Sequence, residues 1–172
     1  SDIVEAVMPS IVSITNVSES QYQSFFGGTQ TQQSTSCGSG IIVSQDADNL
    51  YIATNNHVVE GADSLTVAFS DNTTVSAEIK GTDPSTDLAV IRVALSSIDS
   101  DTLNTIKVAT LGNSDDLKAG QAAIAIGNAL GYGQSVTTGV ISALNREVTV
   151  SDSNSNTNSV SYTHLRAHET LM

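Results

Sequence analysis

The sequence predicts an all-β protein, either a barrel or a sandwich, from three observations. Short runs rich in β-branched residues recur along the chain, and clusters of turn-forming residues separate them at intervals of roughly 8 to 12 residues. No credible helix of more than about three turns interrupts the first six runs. The predicted strands are residues 11–17, 40–44, 50–54, 64–70, 73–83 and 87–93, followed by 121–128 and 135–150.

Composition limits the classes of function. A chain of 172 residues is long enough for one domain, or for one domain and part of another, and 39% apolar residues can fill a core. Eighteen acidic and six basic side chains give a net charge of −12, which argues against nucleic acid or an anionic membrane surface as the main partner. Cys37 is the single cysteine, so no intrachain disulfide forms. No run approaches the roughly 18 apolar residues of a membrane-spanning helix, so any signal or anchor is expected upstream.

The chain is expected to contain four segments. Residues 1–10 predict a short helix that Pro9 ends, and residues 11–110 predict a closed or nearly closed antiparallel barrel, because closure removes exposed strand edges. Residues 111–150 predict the start of a second barrel that two or three strands cannot complete. Residues 151–172 change to a low-complexity run and then SYTHLRAHETLM, which resembles sequencing-adapter read-through and is expected to be foreign to the protein.

Within the first barrel, residues 18–37 are polar and contain glycine, which predicts a long mobile loop between two strands. Alternation along the remaining strands predicts which side chains point inward. The predicted core residues are Ile14, Ile42, Ile52, Val67, Ile79, Leu88 and Val90.

His57, which follows the predicted strand 50–54, is either a structural histidine or a catalytic base. A catalytic role requires a carboxylate that orients the imidazole and a nucleophile that the imidazole deprotonates. Asp87 opens a strongly apolar strand thirty residues later, where a carboxylate needs a partner to offset its desolvation. Histidines at strand ends are mostly structural, so this pair alone leaves both interpretations open.

The surrounding motifs favour catalysis. GSGIIVS, IATNNHVVEGA, SLTVAFSDN, GTDPSTDLAVIRV and LGNSDDLKAGQAAIAIGN follow one another along the chain. In this order and spacing they resemble the HtrA/DegP family of trypsin-like serine proteases, over residues 4 to about 150. The resemblance implies a chymotrypsin-like double β-barrel with the first barrel present and the second incomplete. It implies that His57 is the general base, that Asp87 orients it, and that no metal or organic cofactor takes part.

The family's nucleophilic serine stands in a Gly-Asn-Ser-Gly-Gly motif, which does not occur in these 172 residues. The resemblance ends at about Asn154, before that motif is expected. Ser114 lies in GNSDD, which copies only the first half of the motif. Two carboxylates stand in place of the glycines and would repel an oxyanion, so Ser114 is predicted to be a turn or cap residue. Cys37 and Ser39 precede His57, whereas the fold places its nucleophile in the second barrel.

Other candidates have simpler explanations. His164 and His168 have the spacing of two ligands on a helix, but no third ligand accompanies them and the segment is expected to be foreign. Asp83 before Pro84 predicts turn chemistry rather than a second catalytic acid. The glycines of IGNALGYG (Gly127, Gly131) are not followed by a helix, so a phosphate loop is not predicted.

The sequence therefore predicts a fragment of an HtrA-like serine endopeptidase that carries the base and the orienting acid but not the nucleophile, and that is inactive by itself. The resemblance implies that the parent protein acts on unfolded or damaged polypeptides in a bacterial cell envelope or outside the cell. It also implies a homotrimer, with membrane attachment only through an upstream anchor. The alternative is a catalytically inactive β-barrel that binds peptides or a partner chain.

Overall fold

A computed structural model describes residues 2–23, 29–127, 135–151 and 157–167. The contacts divide the chain into two compact units, one formed by Ser1–Thr110 with Gly127–Gln134 and the other by Leu111–Ile126 with Ser135–Met172. Among the described residues no helix is long and apolar enough to cross a membrane.

The first unit is built on six antiparallel strands that close into a barrel in the order β1-β2-β3-β6-β5-β4. The predicted closed barrel is therefore confirmed. The strands are β1 Ile11–Gln23, β2 Thr29–Gln45, β3 Asn49–Thr54, β4 Ser64–Ala68, β5 Thr74–Asp83 and β6 Leu88–Ala94. Three short helices accompany them, α1 Asp2–Val7, α2 Asn56–Val59 and α3 Ser100–Thr105, with single 3-10 turns at Met8–Ser10 and Leu95–Ser97.

The barrel interior is filled by β-branched and leucine side chains from alternate strand positions. The fully buried members are Val12, Ile14, Ile42, Leu50, Ile52, Val59, Val67, Ile91 and Val93. Four of the predicted core residues, Ile14, Ile42, Ile52 and Val67, are thus confirmed.

The other three predicted core residues are wrong. In β6 the buried side chains are Ala89 and its alternate neighbours, so Leu88 (55% exposed) and Val90 (36% exposed) lie on the outer face. Arg92 has the same phase as these two residues and pairs with Glu78 at the surface, so the charged residue identifies the outer face that the core prediction overlooked. Ile79 pairs with the buried Ile91 but is 44% exposed, because the register of β5 and β6 shifts just after it and a bulge redirects the strand.

The predicted mobile loop at 18–37 is also wrong for its described residues. β1 and β2 pair in continuous register from Ile11↔Ile41 to Gln23↔Thr29, so most of the segment forms a long two-stranded ribbon. The segment is rich in Ser, Thr and Gln and has no hydrophobic alternation, and a polar segment without alternation predicts a loop, which is why hydrophobic patterning did not detect the strands.

Gly38 and Gly40 in β2 permit close approach of their neighbours. A Cβ atom at Gly38 would lie 2.5 Å from Cγ2 of Val58, and one at Gly40 would lie 2.6 Å from Cγ2 of Ile52. Both distances are far below van der Waals contact, so glycine at position 38 lets α2 pack against β2, and glycine at position 40 leaves room for the core side chain of Ile52.

The second unit contains, among the described residues, a three-stranded sheet in the order β7-β8-β9. Its strands are β7 Ala122–Gly127, β8 Ser135–Ser151 and β9 Thr157–Ala167. In their described residues, the predicted strands 121–128 and 135–150 form β7 and β8, which are neighbours in this sheet. β9 pairs antiparallel with β8 from Gly139↔Ala167 to Ser151↔Thr157, so the segment expected to be foreign forms a strand. Its origin stays a prediction.

Candidate active site

His57 stands on a four-residue helix directly after a barrel strand. β3 ends at Thr54, Asn55 adopts an extended conformation as the N-cap residue, and α2 then places His57 at its second position. Val58 and Val59 are buried and anchor the helix on the barrel, whereas the His57 side chain is 68% exposed. The local sequence therefore fixes the backbone of α2 and leaves the imidazole accessible.

Asp87 lies in the turn between β5 and β6 with a positive φ of 54°, one of two such non-glycine residues in the described chain. Aspartate tolerates the left-handed region better than most residues because its short side chain makes local hydrogen bonds. The carbonyl oxygen of Asp87 accepts hydrogen bonds from the backbone N–H of Asn56 (3.1 Å) and from Nδ2 of Asn55 (2.9 Å). The turn is thereby tied to the start of α2.

The Asp87 carboxylate contacts His57 through both of its oxygens. Oδ1 accepts the backbone N–H of His57 at 2.9 Å, and Oδ2 lies 2.8 Å from the ring Nδ1. The predicted approach of the two side chains is thus observed. Burial raises the pKa of Asp87, but the hydrogen bonds from the backbone and ring of His57, together with the charge of the imidazole, hold it below its ordinary value.

An ionised carboxylate only accepts hydrogen bonds, so the nitrogen that faces it must carry the proton. The geometry therefore selects the imidazole tautomer with hydrogen on Nδ1 and the lone pair on Nε2. Nε2 makes no hydrogen bond to any described residue, and the ring is largely exposed. The arrangement can remove a proton from an approaching hydroxyl while Asp87 stabilises the imidazolium that results.

Asn16 is a contact of this site that sequence reasoning missed. It is 3% exposed in β1, and its Nδ2 donates to the carbonyl oxygens of Val58 (3.0 Å) and Glu60 (3.1 Å) at the end of α2. The one available signal was a polar residue at the inward phase of the run IVSITNV.

The alternative nucleophiles occupy structural positions. Ser114 begins a 3-10 turn, Ser114–Asp116, whose N-cap residue Asn113 accepts a hydrogen bond from the backbone N–H of Asp115 (3.1 Å). Cys37 lies in the β1–β2 ribbon with its sulfur 3.9 Å from the Thr15 hydroxyl. The carbonyl oxygen of Ser39 accepts a hydrogen bond from Thr54 at 2.8 Å. None of these side chains hydrogen-bonds His57 in the described structure.

The remaining candidates match their simpler explanations where they are described. Asp83 accepts hydrogen bonds from Ser85 and Thr86, as a turn residue does. His164 lies in the strand β9 rather than on a helix, and His168 and Gly131 lie outside the described residues. Gly127 ends β7. Within the described ranges no group of three or more metal-ligating side chains occurs.

A closed six-stranded antiparallel barrel that carries a paired histidine and aspartate at its surface is an arrangement typical of trypsin-like peptidases. The model of the trypsin-like peptidase domain family matches residues 38–168 of this chain. The chain therefore belongs to that family. The match extends past Asn154, where the motif resemblance was expected to end.

Curated relatives place the chain near the HtrA/DegP group, which confirms the resemblance seen in the motifs. The serine protease Do-like HtrA of Bacillus subtilis (strain 168) is 41% identical over 159 residues, covering 89% of this chain and 34% of that protein. The probable periplasmic serine endoprotease DegP-like of Halomonas elongata is 47% identical over 116 residues, covering 67% of this chain and 22% of that protein. The chain thus spans about a third or less of these relatives.

Solved structures agree with the fold. The HtrA-type protease AlgW with decapeptide matches with a TM-score of 0.69 and 28% identity, covering 95% of this chain and 50% of that one. The same protease with tripeptide matches with a TM-score of 0.64. The predicted chymotrypsin-like fold, with a first barrel and a partial second one, is therefore supported by the strand topology and by these neighbours.

Proposed function

We propose that this chain is the base-and-acid part of an HtrA-like serine endopeptidase. His57 is the general base and Asp87 the carboxylate that orients it. The single observation that carries the proposal is the pair of hydrogen bonds from the backbone N–H and ring Nδ1 of His57 to the two Asp87 oxygens. A structural histidine needs neither a fixed tautomer nor an exposed Nε2, and this arrangement supplies both.

In the proposed reaction, His57 Nε2 takes the proton of a serine hydroxyl as that oxygen attacks the scissile carbonyl carbon. The imidazolium then donates this proton to the leaving amine, and water repeats the sequence to release the acyl group. Asp87 stays ionised throughout, because the His57 hydrogen bonds and charge that lower its pKa favour the carboxylate. No metal or organic cofactor is needed for any of these steps.

The nucleophile is proposed to come from the parent sequence downstream. These 172 residues contain no Gly-Asn-Ser-Gly-Gly motif, and the backbone N–H donors of the oxyanion hole belong to that motif. Members of a catalytic triad act as a unit, so the chain by itself is expected to hydrolyse no peptide bond at a triad-dependent rate.

Relatives support the proposed biology. Several of them are named as probable periplasmic serine endoproteases, DegP-like, and the structural neighbours are HtrA-type proteases with bound peptides. We therefore propose that the parent protein cleaves unfolded or damaged polypeptides in the bacterial cell envelope. The net charge of −12 agrees with a polypeptide rather than a polyanionic partner. A homotrimer and an upstream membrane anchor follow from the family resemblance alone.

The proposal is tested by turnover of a fluorescently labelled unfolded protein by a chain extended through the native downstream codons. We expect hydrolysis by the extended chain, loss of hydrolysis in His57→Ala, and unchanged hydrolysis in Ser96→Ala, a matched change at an exposed position away from the pair. A native stop codon shortly after residue 150, or turnover that survives His57→Ala, would instead favour the inactive binding module or a different site.

A further inference from the structure

We propose that Asn16 is a positioning residue that holds the helix bearing His57 in place from inside the barrel. The inference deepens the proposed function and rests on it for its catalytic consequence. Its structural part is that a buried amide on β1 controls the geometry of His57. This part can be measured whether or not the chain belongs to a protease.

Asn16 occupies a position where the barrel pattern calls for an apolar side chain. In β1 the inward residues are Val12, Ile14 and Asn16, and all three are buried. The same strand pairs on one side with β2 and on the other with β4, so its backbone is fixed by neighbours on both edges. Among these inward-facing residues of β1, a buried amide is unfavourable unless hydrogen bonds compensate its desolvation.

The two hydrogen bonds of Asn16 determine which way its amide points. Nδ2 faces the carbonyl oxygens of Val58 and Glu60, and a flipped amide would bring Oδ1 against these two oxygens. Oδ1 is buried and has no hydrogen-bond partner among the described residues. The Asn16 side chain therefore donates two hydrogen bonds through Nδ2, while its own acceptor, Oδ1, has no partner in the described part of the chain. Both carbonyl groups that accept these bonds lie at the end of α2.

These bonds reach His57 through a very short helix. Val58 follows His57 directly, and the backbone N–H of Glu60 closes α2 by donating to the carbonyl oxygen of Asn56 (2.9 Å). Asp87 holds the start of α2 through the N–H groups of Asn56 and His57. Asn16 holds the opposite end, so the imidazole is fixed between two anchors.

Close packing leaves α2 no room to move toward β2, so loss of the Asn16 donors would allow displacement only away from it. Val58 packs so closely on Gly38 that any added Cβ would overlap it. Without the Asn16 donors, the Val58 and Glu60 carbonyl groups would turn toward water, and the turn would tilt away from β2. The ring Nδ1 would then leave the 2.8 Å contact with Asp87.

The first test uses the chain as it stands. Nitrogen-15 NMR detects the proton on His57 Nδ1, which is assigned by its loss in His57→Ala. Asn16→Leu and Asn16→Asp both remove the Nδ2 donor, the first with an apolar side chain and the second with a charged one. In both variants we expect this proton to exchange with water about tenfold faster, or its signal to disappear. Ile14→Val, a core truncation in the same strand, should leave it unchanged at a comparable loss of thermal stability.

Retention of the Nδ1 proton in both folded Asn16 variants, or equal loss in Ile14→Val, would overturn the proposal. The second test uses the extended chain, in which a positioning role lowers kcat by roughly tenfold to a hundredfold and leaves KM nearly unchanged. If the NMR result holds but the extended chain hydrolyses nothing, the proposed protease function fails and the positioning role stands. If turnover occurs but Asn16→Leu alters neither the NMR signal nor kcat, the positioning role fails alone.

Discussion

Replacing Asp87 with asparagine should separate the orientation of His57 from the backbone geometry that surrounds it. Asparagine has nearly the same shape and also tolerates the left-handed conformation (φ 54°) that this position requires. The carbonyl oxygen of residue 87, which accepts from Asn55 and Asn56, is unaffected. The substitution therefore changes only what the two side-chain oxygens of Asp87 do.

The expected magnitude follows from those two contacts. The amide oxygen can still accept the backbone N–H of His57, but the NH2 group then faces Nδ1 and requires the lone pair there. The imidazole adopts the other tautomer, with its proton on Nε2, and cannot act as a base. Hydrogen bonds to charged groups contribute about 1.5–3 kcal/mol each, and the 39% exposure of the Asp87 side chain reduces this, so unfolding should become easier by about 1–2 kcal/mol.

Two assays measure these effects. Thermal unfolding of the chain should show a Tm lower by about 2–4 °C for each kcal/mol lost. In the extended chain kcat should fall by a factor on the order of 10⁴, since a triad with the wrong tautomer loses about that much. Asp46→Asn is the matched control, because Asp46 is also an exposed turn carboxylate that accepts backbone and side-chain hydrogen bonds. Persistence of the Nδ1 proton in Asp87→Asn, or a kcat within threefold of wild type, would refute the reasoning.

Three further results are expected. The pKa of Asp87 is lowered in the folded chain, so its stabilising contribution is present above the unfolded value of about 4 and is lost as pH falls through the folded pKa. The Tm difference between wild type and Asp87→Asn should therefore shrink as pH falls below about 4 and vanish below the folded pKa. Gly38→Ala should destabilise the chain by about 1–3 kcal/mol in denaturant unfolding, and adding Val58→Ala to this variant should relieve part of that loss. Gly81→Ala is the control, because there is open space where its Cβ would lie, and it should change stability by less than about 0.5 kcal/mol. Thr102→Val should cost about 1–2 kcal/mol by the same measurement, because this buried hydroxyl donates to a carboxylate in the β4–β5 turn; an unchanged unfolding midpoint would contradict that role.

Hydrophobic alternation predicted the buried residues of strands that have one polar face, except at the β5 bulge, where Ile79 is exposed. Ile14 and Val67 sit in runs whose polar neighbours define the phase, and both are buried. In β6, Leu88 and Val90 have the same phase as Arg92, which pairs with a glutamate at the surface. The charged residue therefore marked the outer face, and the two apolar residues were assigned to the wrong side. The segment 18–37 is rich in Ser, Thr and Gln and shows no hydrophobic alternation, and its described residues pair in the register that continues from the barrel part of β1 and β2.

The candidate site was predictable to the extent that its chemistry is carried by motifs. His57 and Asp87 stand in recognisable segments, and their approach within hydrogen-bond distance was expected. The left-handed conformation of Asp87 and the contribution of its backbone carbonyl were not predictable, because both depend on how the β5–β6 turn meets α2. Asn16 was missed for a related reason: its partners are backbone carbonyl groups more than forty residues away.

The most direct test of the central claim is labelling with a fluorophosphonate, which reacts with a serine only where a base activates it. The probe is applied to this chain and to one extended through the native downstream codons, each with and without His57→Ala. We expect no His57-dependent labelling of the short chain, and labelling of the extended chain at a serine beyond residue 160 that His57→Ala abolishes. Labelling of the short chain at Ser39 or Ser114 that requires His57 would contradict the claim that this part of the protein holds a base and its orienting acid without their nucleophile.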